Sequence, residues 1–234
     1  MIQPGDIIPY RAMLDAERVN SLQRGMNFRV SGNNSIILMS LRKNAPYADR
    51  VEENGKVLIY EGHDIYRNQT DEDPKTIDQP MTNNSGSLTD NGKFYQAARE
   101  YTNKKAKAEL VRVYEKIKDG IWVYNGVFEL HDAWVEESDC RNVFKFKLQV
   151  TDKTFNLQEE RASRKDLEHN RMIPTAVKLE VLKRDKRKCV LCGKTDNLHF
   201  DHILPYSKGG TSLKAENIQL LCARHNLEKR DRII

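Results

Sequence analysis

The sequence predicts an α+β protein with a larger, strand-rich N-terminal part and a smaller C-terminal part that binds a metal ion. Residues 1–150 contain several short segments rich in β-branched and aromatic residues, separated by turn signals. Three of the four cysteines fall within the last 46 residues. Residues 161–234 carry 17 Lys and Arg against 9 Asp and Glu, a net charge of +8, which leaves −3 on residues 1–160. These observations divide the 234 residues into two domains.

A polar stretch separates the two parts. Residues 153–170 are mostly charged or polar and lack hydrophobic periodicity, which is typical of a linker. We therefore predict one domain over residues 1–152, a linker over residues 153–170 and a second domain over residues 171–234.

The N-terminal part is predicted to consist mainly of strands. The β-branched and aromatic segments that predict them are residues 35–39, 56–60, 110–114, 121–124, 127–130 and 143–148. In the last segment, Phe144 and Phe146 alternate with Lys145 and Lys147, which predicts one buried face and one face in solvent. Residues 92–107 predict a helix.

Composition and the N-terminus exclude some classes of protein. The longest apolar run, residues 36–39, is far shorter than the roughly 18 residues of a membrane helix. Residues 1–6 lack the basic and apolar regions of a secretion signal. We therefore expect a soluble, cytoplasmic protein without a membrane partner. Its reduced thiols favour a metal site over a disulfide framework.

Two residue pairs in the C-terminal part have the spacing of metal ligands. Cys189 and Cys192 form a C-x₂-C pair, and Cys222 and His225 follow 30 residues later. A single C-x₂-C pair would also suit redox chemistry, but the second pair favours zinc. Three thiolates and one imidazole complete a tetrahedral Zn²⁺ site. Because four protein ligands leave no open coordination position, we expect this zinc to be structural.

A short helix is predicted before the first cysteine pair, over residues 174–185. Thr175 is its predicted N-cap, and Val177 and Val181 lie four residues apart on one face. The basic run at residues 183–188 could be only a solvated face, but next to the motifs that follow we favour binding to a polyanionic backbone.

Further motifs lie between and around the two metal-ligand pairs. In chain order they are Asp201-His202-Ile203-x-Pro205, Gly209-Gly210, Asn217-Ile-Gln-Leu-Leu-Cys222 and His225-Asn226-x-x-Lys229. This order resembles the HNH (ββα-metal) nuclease family over about residues 171–234. The resemblance implies two strands and a helix around one divalent cation, beside a zinc knuckle.

The resemblance also implies a role for each motif residue. His202 would be the general base that takes a proton from water, and Asn217 would brace the loop and His202. Asp201 and Asn226 would hold Mg²⁺ or Mn²⁺ on the scissile phosphate, because hard oxygen ligands suit these ions. Consecutive strand residues point to opposite faces, so Asp201 and His202 can reach one phosphate only if the strand ends or bulges there. We predict that irregularity.

Two residues near these motifs, His199 and Lys229, are not assigned to the zinc or catalytic sets. The zinc set is complete without His199, which we expect to be a structural or phosphate-facing strand residue. Lys229 could touch phosphate, but a lysine on a helix surface is more often solvated.

The N-terminal part carries a second, more diffuse set of motifs. They lie at residues 25–26, 35–39, 47–49, 57–62, 78–84, 110–113 and 124–126. In this order they resemble the SRA (YDG) domain family, readers of modified cytosine, over roughly residues 5–150. The sequence departs from the family in two places. The Tyr-Asp-Gly motif is Tyr124-Asn125-Gly126 here, and residues 42–46 replace a Gly-Gly pair before Tyr47.

The SRA resemblance implies a PUA-like twisted β-barrel with helices, and base flipping into a pocket. Tyr47 and Tyr60 would stack on the two faces of the flipped base. Asp49 would accept a hydrogen bond from the N4 amino group of cytosine, which thymine lacks. Tyr60 ends an apolar run and could equally be an ordinary core residue. The Tyr124-Asn125-Gly126 segment is interpreted as a determinant of the fold.

Together, the two resemblances indicate an SRA–HNH fusion similar to modification-dependent (type IV) restriction endonucleases. The expected partner is double-stranded DNA carrying 5-methylcytosine or a related base. The expected cofactors are structural Zn²⁺ and catalytic Mg²⁺ or Mn²⁺. One HNH site cuts one strand, so a double-strand break suggests a homodimer. Two alternatives stay open: an HNH endonuclease without modification dependence, and a non-catalytic reader of modified DNA.

Overall fold

A computed structural model describes residues 2–22, 24–30, 34–151, 172–205 and 210–229. The strands are β1 (Ile7–Ile8), β2 (Met26–Val30), β3 (Asn34–Met39), β4 (Arg50–Glu52), β5 (Val57–Glu61), β6 (Glu109–Lys118), β7 (Ile121–Ser138), β8 (Arg141–Thr151), β9 (Leu198–His202) and β10 (Ile218–Cys222). The helices are α1 (Tyr10–Glu17), α2 (Asp90–Thr102), α3 (Thr175–Arg184) and α4 (Ala223–Lys229). The predicted linker, residues 153–170, lies outside the described residues, so its boundaries stay a prediction.

The N-terminal domain is built on one eight-stranded sheet. Its order is β2-β3-β6-β7-β8-β5-β4, and β1 pairs separately with β7. Strands β3 and β6 run parallel, and the other pairs are antiparallel. Met26 of β2 and Leu58 of β5 stand near opposite ends of this order but pack in one core with Phe94 of α2. The sheet therefore curls around this apolar core, while α1 packs in a second cluster with Ile36, Tyr114 and Tyr124. The predicted strand-rich α+β fold is confirmed.

Helix α2 begins earlier and ends earlier than the predicted helix. The hydroxyl of Thr89 accepts a hydrogen bond from the Gly92 N–H, which caps the helix at its start. The helix ends at Thr102, and Lys104 adopts a positive φ of 59° just beyond it. Helix α1, by contrast, was not predicted from the sequence.

Strand β8 corrects one prediction. Lys145 is not on a solvent face: it is 2% exposed, and its Nζ donates to Glu61 Oε2 at 2.8 Å. The physical reason lies in the topology, because β8 is an inner strand between β7 and β5. Glu61 of β5 is the direct cross-strand partner of Lys145, so the buried ammonium meets a carboxylate.

The C-terminal domain has the predicted ββα arrangement, preceded by α3. Strands β9 and β10 form an antiparallel pair without a register shift, and α4 packs against both. Val177 and Val181 of α3 are both buried against this unit, as their spacing predicts. The N-cap prediction was wrong. Thr175 is the first helical residue after Pro174, and its hydroxyl donates to Glu115 instead.

None of the described helices is long and apolar enough to cross a bilayer.

Candidate functional site

A cavity in the N-terminal domain brings Tyr47, Asp49 and Tyr60 together. It has a volume of about 340 Å³ and is also lined by Tyr10 and Trp122. Tyr60 is 1% exposed and belongs to the domain core as well, so the two interpretations of this residue are compatible. A side chain at Gly25 would collide with the Tyr60 hydroxyl, since a Cβ there would lie 2.3 Å from it. Gly25 is thus required for the close approach of Tyr60 to the cavity wall.

Two backbone N–H groups hold the carboxylate of Asp49. The Glu61 N–H donates to Oδ1 at 3.0 Å, and the Ser40 N–H donates to Oδ2 at 3.2 Å. Burial raises the pKa of Asp49 to about 7, against the opposing effect of these two hydrogen bonds. Each carboxylate oxygen can accept a further hydrogen bond, so Asp49 retains the capacity to bind an amino group.

A lysine supports one face of Tyr47. Lys75 Nζ lies 4.0 Å from the centre of the Tyr47 ring and 2.9 Å from Asp64 Oδ2. The Asp64 N–H also donates to the Tyr47 hydroxyl at 3.4 Å. Burial, followed by the charge of Asp64, raises the pKa of this hydroxyl. Tyr47 is therefore a neutral ring held by a cation on one face and by the backbone at its tip.

A buried ion-pair network, not foreseen from the sequence, supports the loop that carries Tyr47 and Asp49. Glu61 Oε2 accepts a hydrogen bond from the Ala48 N–H at 3.1 Å, between those two residues. The same carboxylate is paired with Lys145 and, at 3.5 Å, with Arg141. Glu61 thus holds the loop through two groups: its carboxylate binds the Ala48 N–H, and its own backbone N–H donates to Asp49. No local signal reveals this network, since Glu61 and Lys145 are 84 residues apart.

A second cavity of about 470 Å³ adjoins the first and shares Tyr47 and Asp49 with it. Four basic side chains and three acidic ones, Asp49, Glu61 and Asp139, contribute to its lining. The basic ones are Arg42, Lys43, Lys75 and Arg141.

The four predicted zinc ligands converge on one point. The ligand atoms of Cys189, Cys192, Cys222 and His225 all lie within 4.8 Å of one another. The separations are 3.3 Å from Cys189 Sγ to His225 Nδ1, 3.5 Å from Cys222 Sγ to His225 Nδ1, and 3.8 Å between the Sγ atoms of Cys192 and Cys222. Ligand atoms about 2.0–2.3 Å from a tetrahedral zinc ion would be about 3.3–3.8 Å apart. This Cys₃His cluster therefore fits Zn²⁺.

A tight turn shapes the first half of the zinc cluster. The Gly193 N–H donates to the Cys189 carbonyl at 2.8 Å, and Gly193 takes a positive φ of 73° that favours glycine. Burial opposes ionisation of the Cys189 thiol, but the backbone N–H of Cys222 and the ring of His225 outweigh it and lower its pKa to about 6. A thiol that ionises near neutral pH is a suitable zinc ligand.

Strand β9 ends at His202, in agreement with the predicted irregularity. Its pairing with β10 stays regular to that residue, so the strand terminates and does not bulge. The Asp201 carboxylate accepts hydrogen bonds from Gln219 at 3.1 Å and from Lys229, as an ion pair, at 3.0 Å. His202 Nε2 lies 2.9 Å from the hydroxyl of Ser212, a buried residue that was not singled out from the sequence.

Lys229 is not solvated, contrary to its sequence-based interpretation. Its side chain is fully buried, because α4 packs against β9. Besides pairing with Asp201, its Nζ donates to the His202 carbonyl at 2.6 Å. A cation thus already contacts both of the consecutive residues that the HNH resemblance makes catalytic.

Asn217 braces the loop that follows β9. Its side chain accepts from the Leu204 N–H at 2.8 Å and donates to the carbonyls of Leu204 and Thr211, each at 3.0 Å. Gly210 fits beneath this brace only because it lacks a side chain, since a Cβ would lie 1.8 Å from the Leu204 carbonyl oxygen. The loop bracing agrees with prediction, whereas the contact to the His202 ring comes from Ser212.

The remaining predicted residues are also located. Asn226 is half-buried on α4, three residues before Lys229. The Nδ1 atom of His199 lies 2.5 Å from Oδ1 of Asp6, so His199 has a structural neighbour on the N-terminal segment. In the basic run, Arg184 donates to the carbonyls of Ala215 and Ile218, so it holds the fold. Four other residues of the run are exposed, and no side-chain hydrogen bond of theirs is found within the described part of the chain. They are Lys183, Lys186, Arg187 and Lys188.

Comparison with known families agrees with this geometry. The SAD/SRA domain model matches residues 1–153, which is more than half of the chain. The chain belongs to the SAD/SRA domain family. The HNH endonuclease model matches residues 189–232, so the SRA domain is followed by an HNH domain, as the sequence predicted.

Several solved structures are similar to the SRA domain. The SRA domain of SUVH5, in complex with hemi-methylated CG DNA, is 27% identical, with 65% of this chain and 91% of that chain covered and a TM-score of 0.45. Arabidopsis thaliana SUVH6 is 22% identical, with 65% and 26% covered and a TM-score of 0.42. KRYPTONITE, in complex with mCHH DNA, is 16% identical, with 65% and 32% covered and a TM-score of 0.43. No curated protein sequence matches the chain.

Proposed function

We propose that this protein is a modification-dependent DNA endonuclease. Its SRA domain flips and binds 5-methylcytosine or a related modified cytosine, and its HNH domain hydrolyses a phosphodiester of the same DNA. The observation that carries this proposal is the presence, in one chain, of a cavity lined by Tyr47, Asp49 and Tyr60 and of an HNH site with Asp201 beside His202.

The cavity supports selection of cytosine. The flipped base would stack on the face of Tyr47 that Lys75 does not cover, with Tyr60 on the other side of the base. Asp49 would accept a hydrogen bond from the N4 amino group. Thymine would place its O4 acceptor at the same position, opposite a carboxylate that cannot donate when ionised. The basic residues of the adjoining cavity would contact the phosphates on either side.

The HNH site supports hydrolysis. His202, oriented by Ser212, would take a proton from the attacking water. Asp201 and Asn226 offer carboxylate and amide oxygens, a donor set that suits Mg²⁺ or Mn²⁺. When bound, such an ion supplies positive charge to the phosphate as it gains negative charge. Asn217 keeps the loop around the site in shape, and the Cys₃His cluster would hold structural zinc.

Cleavage of duplexes that differ only at one cytosine tests the proposal. We expect duplexes with 5-methylcytosine or 5-hydroxymethylcytosine to be cut in Mg²⁺ or Mn²⁺, and the unmodified duplex to be cut far more slowly. Equal cleavage of all three would indicate an HNH endonuclease without modification dependence. Binding of modified DNA without cleavage under any metal would indicate a non-catalytic reader.

The His202→Ala variant separates binding from chemistry. It should retain binding to modified DNA and lose cleavage by about 10²–10⁴-fold, the usual contribution of a general base. His131→Ala is the matched control, because His131 stacks on Tyr101 in the SRA domain, away from the HNH site. Unchanged cleavage by the His202 variant would remove His202 from the mechanism.

The state of assembly and the compartment are part of the proposal. Since one HNH site cuts one strand, double-strand breaks would require two copies, and we propose a homodimer on DNA. Sedimentation with and without modified duplex checks this, because a protein that stays monomeric should only nick. The thiolate-rich cluster favours the reducing cytoplasm.

A further inference from the structure

The N-terminal segment joins the two sheets of the molecule. Residues 5–8 pair with β7 on one side, where the Gly5 N–H donates to the Tyr124 carbonyl at 2.8 Å and β1 adds two further residues. On the other side, the Phe200 N–H donates to the Gly5 carbonyl at 3.2 Å, and Asp6 pairs with His199. His199 and Phe200 belong to β9, the strand that carries the candidate catalytic pair. This strand is therefore fastened to the SRA domain directly before its catalytic end.

The two domains also share one apolar core. Ile117 of β6 and Val123 of β7 pack in the same cluster as Phe200 and the apolar face of α3. Their chain neighbours Lys116 and Trp122 line the base cavity. The base cavity thus lies on one face of the β6–β7 hairpin and the HNH domain on the other. Residues that line the cavity and residues that pack against the HNH domain are neighbours in the chain, with Cα atoms about 3.8 Å apart.

A buried ion pair crosses this interface. Glu115 of β6 and Lys178 of α3 are 0% and 1% exposed, and their charged atoms are 2.5 Å apart. The hydroxyl of Thr175 also donates to Glu115. Burial alone would raise the pKa of Glu115, but the ammonium of Lys178 outweighs it and lowers this pKa, which favours the carboxylate form of Glu115.

Asn125 completes the network and explains a departure from the family motif. It lies at a β-bulge, where the register of β6 and β7 shifts and Gly126 takes a φ of +99°. Its Nδ2 donates to Glu115 at 3.1 Å, and its Oδ1 accepts from Lys178 at 2.8 Å. Only an amide can do both, because the Asp of the usual Tyr-Asp-Gly motif would lack the donor and add a second buried negative charge. The Asn therefore suits a site at which α3 of the HNH domain docks.

We propose that the SRA and HNH domains act as one rigid body, in which Asn125, Glu115 and Lys178 are positioning residues that fix the distance from the flipped base to the cut phosphodiester. This inference rests on the proposed function. A nuclease on a free tether would cut at a range of distances, whereas a docked nuclease reaches one phosphodiester on a given strand.

Mapping of cut positions tests the fixed distance. A long duplex with a single modified cytosine is digested in Mg²⁺ or Mn²⁺, and the ends are resolved to one nucleotide. We expect the wild-type protein to give one dominant cut at a constant offset, independent of flanking sequence. Cuts spread over many phosphates, with the modification still required, would overturn the rigid-body proposal and leave the proposed function standing.

Two variants of the interface sharpen this test. The double change Glu115→Gln with Lys178→Met removes both charges and avoids an unpaired buried ion. Asn125→Asp instead adds a charge to the network. Both should spread the cuts over several phosphates while zinc content and binding to modified DNA are kept. Glu180→Gln, an exposed residue of the same helix α3, is the control and should keep the single offset. Interface variants that cut at the wild-type offset would remove the positioning role.

A measurement without catalysis decides the rigid-body proposal even if the protein does not cut. Both tryptophans, Trp122 and Trp134, lie in β7, so their fluorescence reports on unfolding of the SRA domain alone. Removing zinc with a chelator destabilises only the HNH domain directly. We expect chelation to lower the tryptophan-detected midpoint of the wild type by at least about 2–4 °C, and the midpoint of the double variant by less. An unchanged wild-type midpoint would show that the domains unfold independently and would overturn the proposal.

Discussion

The base cavity and the HNH site are supported in opposite ways. Tyr47, Asp49 and Tyr60 lie within 14 residues of one another, but the rest of the cavity wall comes from distant parts of the chain, including Tyr10 and Trp122. Buried charges on an inner strand hold the loop of Tyr47 and Asp49 in place. The HNH residues lie within about 30 residues of one another, on a hairpin and a helix joined by the Cys₃His cluster. Recognition thus depends on packing across the large sheet, whereas the catalytic residues depend on local geometry and a metal.

This contrast predicts how each site fails. Loss of the metal ligands should disable the HNH site as a unit, since the cluster joins the hairpin that carries Asp201 and His202 to the helix that carries Asn226. Loss of a buried charge beneath the base loop should damage recognition while the HNH motifs stay in place. Changes at the base-contacting side chain itself should alter selectivity with the smallest effect on folding.

The largest effect is expected from Cys222→Ser. It removes one thiolate from the cluster, and structural zinc contributes about 10–16 kcal/mol of apparent binding free energy in small zinc domains. We expect loss of bound zinc, measured by elemental analysis, and complete loss of cleavage. Cys140→Ser is the control, because Cys140 is exposed and outside the cluster. A Cys222 variant that retained one zinc per chain would contradict the assigned ligand set.

The next effect is expected from Lys145→Met. It leaves the Glu61 carboxylate buried without its closest cation, which typically costs about 3–5 kcal/mol. The free energy of unfolding, measured by denaturant titration, should fall by that amount, and binding to modified DNA should weaken with it. Lys147→Met, two residues along the same strand and more exposed, is the matched control. Equal effects of the two changes would mean that the buried pair does not support the base loop.

The same contrast explains what the sequence could predict. The zinc ligands were found because their spacing along the chain reports their geometry directly, and the HNH residues were found because a local run of motifs resembles a known family. The burial of Lys145 depends on which strands flank β8, and hence on pairings between residues more than 80 positions apart. The burial of Lys229 depends on how α4 packs against β9. Strand alternation assigns Lys145 to solvent, and the usual exposure of helix lysines assigns Lys229 to solvent. Neither pattern contains information about a charged partner on another strand.

Asn125 lies between these two cases. Its departure from the Tyr-Asp-Gly motif is visible in the sequence, but its meaning requires the three-dimensional contacts with Glu115 and Lys178. A departure from a family motif can therefore indicate a new contact as well as a lost function.

A smaller and more selective effect is expected from Asp49→Asn. The amide side chain keeps the shape of the carboxylate but presents an NH₂ group to one of the two backbone N–H donors or to the base. We expect the preference for 5-methylcytosine over thymine at the flipped position to fall by the equivalent of about 1–3 kcal/mol, or roughly tenfold to a hundredfold, because only cytosine offers an N4 amino group. Competition binding with duplexes that carry 5-methylcytosine or thymine at that position measures this. Equal weakening for both duplexes would indicate a general folding defect.

A separate effect, on folding and not on DNA binding, is the pH dependence that Asp49 contributes to stability. Burial raises its pKa to about 7 in the folded protein, well above the ordinary value of 3.8. Below pH 3.8 the Asp49 carboxyl group is protonated in both the folded and the unfolded state, so it does not change the free energy of unfolding with pH. Between pH 3.8 and 7 the unfolded chain releases the proton while the folded protein retains it, and stability falls as pH rises; above pH 7 the loss is complete. The Asn side chain of the Asp49→Asn variant cannot titrate. The difference between the unfolding midpoints of the variant and the wild type should therefore increase in favour of the variant between pH 4 and pH 7 and stay constant above pH 7. A constant difference across this range would show that Asp49 is already ionised in the folded protein, and the base would then meet a carboxylate at every pH tested.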